Sequence, residues 1–328
     1  MKIKSFIILV AALAVSVSAF AQDPANEVKK KFNTAATHHN NKEYDKALPL
    51  LEECVVEGLD ADVMEVVESA QKLIPNCYFR IGLKLVNEKK LDQALEVLAT
   101  ADERARLYND AKVARSSISA ISKVYALKGA TSFNSRDYAS AVVEFAKGYE
   151  ANPQNTDLAL NLAMSYCELK DFENGVRVYT DIIALEKRHS KFAAPAAEAK
   201  RMLSNYLLVK AQEENKAGDK EAAYATLETL INADFMNYTN QFYRLQTAAG
   251  NQDWENLIAW GEGAVATATT PEESSEIYYL IAVAHDTLNN NQTAVDSYKQ
   301  VTAGDKLEPS TKRIVELEAF IKAEKEAK

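Results

Sequence analysis

The chain's four histidines and three cysteines have the widest chemical reach, and their spacing limits what they can do. His38 and His39 are neighbours; on a helix such side chains point about 100° apart, so they cannot share a metal ion on one face. His189 follows Lys187 and Arg188, where positive charge suits a helix C-terminus. Cys54, Cys77 and Cys167 are odd in number and form no C-x-x-C. An oxidising compartment would allow a Cys54–Cys77 bridge. The other reading is three small buried hydrophobes. H-E-x-x-H, G-x-S-x-G, a Gly-rich phosphate loop and an EF-hand loop are all missing from the sequence. Acidic residues are plentiful but scattered, and no pair stands out as general acid and base. The sequence therefore names no catalytic residue, no metal ligand and no cofactor. The expectation is a chain that binds rather than one that catalyses.

The elements that would carry a binding surface are helices. Of 328 residues only 10 are Gly and 7 are Pro, which leaves few turns and long segments between them. The first segment has a separate character. Lys2 and Lys4 precede an apolar run from Phe6 to Val17, too short to span a bilayer comfortably, and Ala19-Phe20-Ala21 follows as an A-x-A site. Residues 1–21 read as a secretory signal peptide, with Gln22 as the mature N-terminus. The address is export, to the periplasm of a Gram-negative-type cell, with release to the medium as the alternative. No later apolar run is long enough for an integral membrane segment. Losing Lys2 and Lys4 takes the balance from −9 to 36 − 47 = −11. Nucleic-acid binding depends on neutralising phosphates with Lys and Arg, so this acidity argues against such a partner.

The strongest internal signal runs from Ser122 to His189. Tyr125, Gly129, Tyr138, Ala141, Phe145 and Pro153 are followed, 34 residues on, by Ala159, Ala163, Phe172, Gly175, Tyr179 and Lys187. Small residues recur at Gly129 and Ala163, and aromatics at Tyr138 and Phe172 and at Phe145 and Tyr179. This pattern resembles the tetratricopeptide repeat, a 34-residue helix–turn–helix unit. Lys128 and Ser132 depart from it, standing where the family has an apolar residue and an aromatic. In the same register further repeats cover 28–61, 75–108, 204–237, 238–271 and 275–308, beside 122–155 and 156–189. The unit at 238–271 is degenerate, with Leu257 and Gly261 in place of Ala and Phe. His38 and His285 fall at one repeat position, which favours packing over metal binding. The resemblance implies an all-α, TPR-type helical-hairpin solenoid (a right-handed superhelix) over 22–308, of about seven helix pairs. A capping helix over 309–328 completes it, presenting Ile314, Leu317 and Phe320 or Ile321 to the last pair.

Three junctions carry extra residues: 13 at 62–74, 13 at 109–121 and 14 at 190–203. Leu107, Ala111, Ala114, Ile118, Ile121 and Tyr125 step by three and four. So do Phe192, Ala196, Ala199, Leu203 and Tyr206, and Val63, Val66, Val67, Ala70 and Ile74 form a third stripe. Such spacing predicts amphipathic helix, and the insertions predict long first helices in the repeats at 122 and 204. Pro75 predicts a kink or break in the remaining case.

The resemblance also implies a binding groove lined by the first helix of each pair. Its groove positions fall on Phe79, Leu83, Val86 and Asn87, then Ala126, Ala130, Phe133 and Asn134. Leu160, Asn161, Met164 and Glu168 follow, and then Asn205, Leu208, Gln212 and Asn215. Phe79, Leu83, Asn87, Phe133, Asn134, Asn161 and Met164 are the candidate peptide-binding residues: an apolar floor with amide donors. Core packing is the competing role for the apolar ones. The carboxylate clamp known in the family needs Lys, Arg and Asn where this chain has Ala126, Ala130, Asn161, Asn205 and Val209, so only Asn161 fits. The expected function is an exported, non-catalytic interaction scaffold with a protein or peptide partner. The alternative is a binder of envelope carbohydrate or a small ligand, which a cluster of exposed groove aromatics would favour. Intact-mass measurement of the exported protein should find a chain starting at Gln22; a mass that retains Lys2 and Lys4 would refute export.

Overall fold

Seven times along the chain, a helix ends at a residue held in the left-handed region and the next helix begins two positions later. Lys42, Lys89, Arg136, Lys170, Gly218, Gln252 and Asn289 occupy this place, with φ between 57° and 85°. In each turn the left-handed residue donates its N–H three residues back, as from Lys170 to Cys167 (2.9 Å). The residue after it donates five back, as from Asp171 to Tyr166 (2.9 Å). This satisfies carbonyls that the helix end would otherwise leave open. The following residue often caps the next helix: the carboxylates of Asp137, Asp171, Asp219 and Asp253 each accept a backbone N–H three residues on.

These turns join the helices of a computed structural model that describes residues 23–232 and 237–326. The signal-peptide assignment to 1–21 lies outside the described residues. The chain is all-α, with fifteen α-helices and no strand among the described residues. In chain order these turns join α1 (Pro24–Asn40) to α2 (Tyr44–Asp60), α3 (Met64–Asn87) to α4 (Leu91–Leu107) and α5 (Ala111–Asn134) to α6 (Tyr138–Ala151). They go on to join α7 (Thr156–Glu168) to α8 (Phe172–Leu185), α9 (Ala193–Lys216) to α10 (Lys220–Asn232) and α11 (Tyr238–Gly250) to α12 (Trp254–Val265). The last joins α13 (Pro271–Thr287) to α14 (Asn291–Tyr298), and α15 (Leu307–Glu326) ends the described chain. Two compact units divide within α5: the first takes residues up to 129 with 150–152, the second 130–149 and 153 onward.

Helices α3, α5 and α9 each have 24 residues, eleven more than the 13 of α7. Eleven residues close three helical turns to within about 20°, so a helix lengthened by that amount keeps its inward face. The insertions are therefore three turns of helix, and the remaining two or three residues lie in the preceding helix and turn. Before α3 and α5 the turns reuse the hairpin geometry, with Asp62 (φ 54°) and Asn109 (φ 58°) as left-handed residues. Of the kink or break expected at Pro75 the break does not occur, and a second expectation is corrected. Helix α3 runs unbroken through Pro75; Val66, Ala70 and Ile74 before it and Cys77 after it bury in one core, and that packing offsets the lost hydrogen bond. The stripe from Leu107 to Tyr125 is not one face, because the turn at 108–110 reverses the chain. Leu107 ends α4 and is 59% exposed, while Val113, Ser117, Ala120 and Val124 form the buried line of α5. The stripes of α3 and α9 do face inward: Val66, Val67, Ala70, Ile74, Ala196, Ala199 and Leu203 are buried.

Packing explains the repeated residue types. The small residues Gly129, Ala141, Ala159, Ala163 and Gly175 are buried, as are Phe145 and Tyr179. A Cβ on Gly82 would stand 2.7 Å from the Leu98 side chain, and one on Gly175 2.5 Å from Cys167 Sγ. Gly261, where the family places an aromatic, is filled from outside: a Cβ there would meet Ile281 of the next pair at 2.6 Å. Helix α15 covers the last pair by burying Leu317, with Ile314 and Ile321 half-buried, against Ala282, Ala294, Val295 and Tyr298. Phe320 points away, 52% exposed. Arg313 fixes the helix by donating Nε and Nη2 to the two carboxylate oxygens of Asp286 on α13 (2.7 and 2.9 Å).

Cys54, Cys77 and Cys167 are buried free thiols. Burial pushes them up, Cys54 to about 11 and Cys77 and Cys167 to about 12, so the nucleophilic thiolate is scarce. Alkylation at mildly alkaline pH should label none of the three in the native protein and all three in denaturant; a single label without reductant would reveal a bridge. Gly82→Ala should cost about 1–3 kcal/mol by overpacking against Leu98. Gly263→Ala in α12, where an added Cβ meets nothing within 4 Å, should instead stabilise by about 0.5–1 kcal/mol. Denaturant melts of both variants check the pair. Removing the chain from Leu307 onward should expose the apolar face of α13 and α14 and cause self-association, read by light scattering; a monomer with unchanged melting would contradict the capping role.

Candidate functional site

The candidate residues separate between the two units. Phe79, Leu83 and Asn87 belong to the first, and Phe133, Asn134, Asn161 and Met164 to the second. In the first unit, Phe79, Leu83 and Val86 stand at i, i+4 and i+7 of α3, so one helix face carries all three. They are half-buried, resting on Leu98, Ala120 and Val124. The Arg80 guanidinium lies 5.8 Å from the Phe79 ring centre. Asn87 is exposed at the last residue of α3.

This apolar face is one wall of an open cavity of about 510 Å³. The other wall is α5, through Lys112, Arg115, Ser116, Ser119 and Lys123, with Ala120 and Val124 at its base. Their spacing of 0, 3, 4, 7 and 11 puts these polar residues on one side of the helix. Lys112, Arg115 and Lys123 are exposed, and among the described residues none has a carboxylate partner. Cations nearby behave differently: Lys84 of α3 pairs with Asp45 (2.5 Å) and Lys128 of α5 with Asp92 (2.7 Å). The Ser116 hydroxyl donates to the Lys112 carbonyl (2.9 Å).

The cationic wall is what the sequence reading missed. Lys112, Arg115, Ser116 and Ser119 sit on the inserted turns at 111–121, where the 34-residue pattern assigns no positions. Lys123 stands at the second residue of its repeat. The signal that could have found them is the 3/4/7/11 spacing of cations and hydroxyls.

In the second unit, Phe133 is half-buried on its own hairpin. Its ring centre lies 5.4 Å from Tyr138 and 6.4 Å from Phe145, which is fully buried. Asn134 is exposed at the last residue of α5, while Asn161 and Met164 are half-buried on α7. The Asn161 carbonyl accepts from Ser165 Oγ (2.7 Å). Among the described aromatics Phe320 alone is classed as exposed, and it lies on α15 rather than on a first helix. Among the described residues no group of three His, Cys, Asp or Glu could hold a metal ion. His38 Nδ1 instead meets Glu43 Oε2 at 2.6 Å, and burial lowers the His285 pKa.

Residues 275–303, which span most of α13 and all of α14, match the tetratricopeptide-repeat family model. No curated protein matches the chain in sequence. Solved structures similar to it include the yeast Sti1 TPR2AB domain in a pHSP90 complex, at 15% identity over 89% of this chain and 97% of that one (TM-score 0.29). The C-terminal part of a TPR repeat-containing protein from Cytophaga hutchinsonii is 12% identical over 84% and 98% (TM-score 0.32). A tetratricopeptide-repeat protein from Parabacteroides merdae is 11% identical over 89% and 98% (TM-score 0.27). Superpositions this loose bear on neither site nor partner. Residues 275–303 thus match a tetratricopeptide repeat, and the left-handed turn that joins their two helices recurs at six other places along this all-α chain.

Proposed function

We propose that this chain is an exported, non-catalytic scaffold that binds a peptide or protein partner along the first helices of its pairs. The observation that carries the reading is the open cavity on α3 and α5, where Phe79, Leu83 and Val86 stand together on one helix face and remain half-buried. Such a strip gains by covering its apolar surface with a partner's side chains. The signal-peptide pattern at residues 1–21 supports export, and the periplasm is the proposed address. Within the second unit, considered by itself, Asn161 and Met164 of α7 and Asn134 at the end of α5 are proposed as partner-contacting residues.

Reversible crosslinking in the native envelope, followed by pulldown, tests the scaffold. The wild type should capture a defined partner, and the Phe79→Ala/Leu83→Ala double variant should lose it while still folding. Capture of nothing specific by the wild type would refute the scaffold reading. Phe133 has a different expected outcome, because its ring packs on Tyr138 and Phe145. Phe133→Glu should lower stability by about 2–4 kcal/mol in denaturant melts, the cost of a charge placed among aromatics. A variant that melts like the wild type but loses the partner would return Phe133 to the binding surface.

A further inference from the structure

The cationic wall of the α3–α5 cavity runs against the character of the whole chain. With 47 acidic and 38 basic residues, cations are outnumbered. Lysines on the same helices pair with carboxylates, as Lys84 does with Asp45 and Lys128 with Asp92. Lys112, Arg115 and Lys123 nevertheless stand together, exposed and without a described carboxylate partner, on one side of α5. Facing them is the apolar face of Phe79, Leu83 and Val86. We propose that this cavity docks an acidic, amphipathic peptide segment of a partner protein. Its Asp and Glu side chains would meet the three cations, and its apolar side chains would rest on α3. The proposal rests on the scaffold reading and specifies the chemistry of the partner.

Geometry favours a peptide over a single anionic group. Lys112 and Lys123 are eleven residues apart, about 16 Å along a helix. One carboxylate or one phosphate cannot reach both ends of that row. A peptide covers it with about five extended residues or three helical turns, presenting several carboxylates along one edge. The guanidinium of Arg115, between the two lysines, suits a carboxylate held by two hydrogen bonds. Ser116 and Ser119 place hydroxyls on the same wall, within the row of cations. Most of this wall lies on the inserted turns of α5, so it is separate from the clamp positions Ala126 and Ala130, which carry no charge.

A displayed library of random peptides of about twelve residues, long enough to span the row, is the probe. Selection on the mature wild-type chain should enrich sequences with Asp or Glu beside apolar residues. A selected peptide should lose affinity at least about tenfold for the K112E/R115E/K123E variant, and should weaken as salt screens the charges. These side chains are exposed, so the variant should melt like the wild type; if it does not fold, K112Q/R115Q/K123Q should show a smaller loss in the same direction. Neutral or basic selected peptides, or acidic ones indifferent to the charge reversal, would overturn the proposal. Capture of a native partner that depends on Phe79 and Leu83 would still leave the scaffold reading standing in that case. Enrichment of no peptide would overturn it also. Phosphatidylglycerol vesicles form the second arm: binding by the wild type that the reversal abolishes would assign the cations to a membrane surface and sink the peptide site.

Discussion

The period of the α-helix is the constraint on which the rest of this structure depends. A helix pair exposes an apolar face that it cannot bury alone, so each pair needs its neighbour in register. Lengthening a helix preserves that register only if whole turns are added. Helices α3, α5 and α9 each exceed α7 by eleven residues, which is three turns with almost no rotation of the buried face. An insertion of nine or thirteen residues in the helix itself would turn its apolar side well away from the core. The junctions of 13 and 14 residues meet this condition by leaving the surplus in the preceding helix and turn.

The turns obey a second constraint. The hairpins reverse the chain in three residues, and a reversal that tight uses a left-handed residue. Lysine, arginine, glutamine and asparagine hold that position in six of the seven hairpins, with Gly218 in the other. The strain of a non-glycine residue there is about 1–2 kcal/mol. It is offset because two backbone hydrogen bonds and, in several turns, an aspartate cap form around it. The same device at Asp62 and Asn109 makes the first five helices an unbroken antiparallel series.

Packing against the next pair decides what each variable position holds. Tyr179 and Phe145 fill their sites from within. Gly261 leaves its site open, and Ile281 enters from α13. The degenerate repeat is therefore a substitution of supplier: the volume is filled by a neighbour instead of by the repeat itself. Helix α15 does the same at the end of the chain, where Leu317 covers Ala294 and Tyr298 and the Arg313–Asp286 pair holds it in place. The α3–α5 cavity shows the reverse case, in which Phe79, Leu83 and Val86 are incompletely covered.

The sequence by itself determined the helices, their pairing and the buried small and aromatic residues, because these follow from local period and volume. Gly129, Ala141, Phe145, Ala163, Gly175 and Tyr179 could be read from spacing alone, and so could the long helices after the insertions. Other features depended on groups distant in sequence. The unbroken course of α3 through Pro75 rests on burial of both halves in one core, and a local rule for proline cannot register that. The exclusion of Leu107 from the α5 stripe rests on where the chain turns, since residues on either side of a reversal share a period but not a face. Phe133 lies against Tyr138 and Phe145, although its repeat position reads as groove. The cationic wall of α5 took meaning only when tertiary structure set it opposite Phe79 and Leu83: a row of charges on one helix is an ordinary solvated surface until a second element brings an apolar face against it.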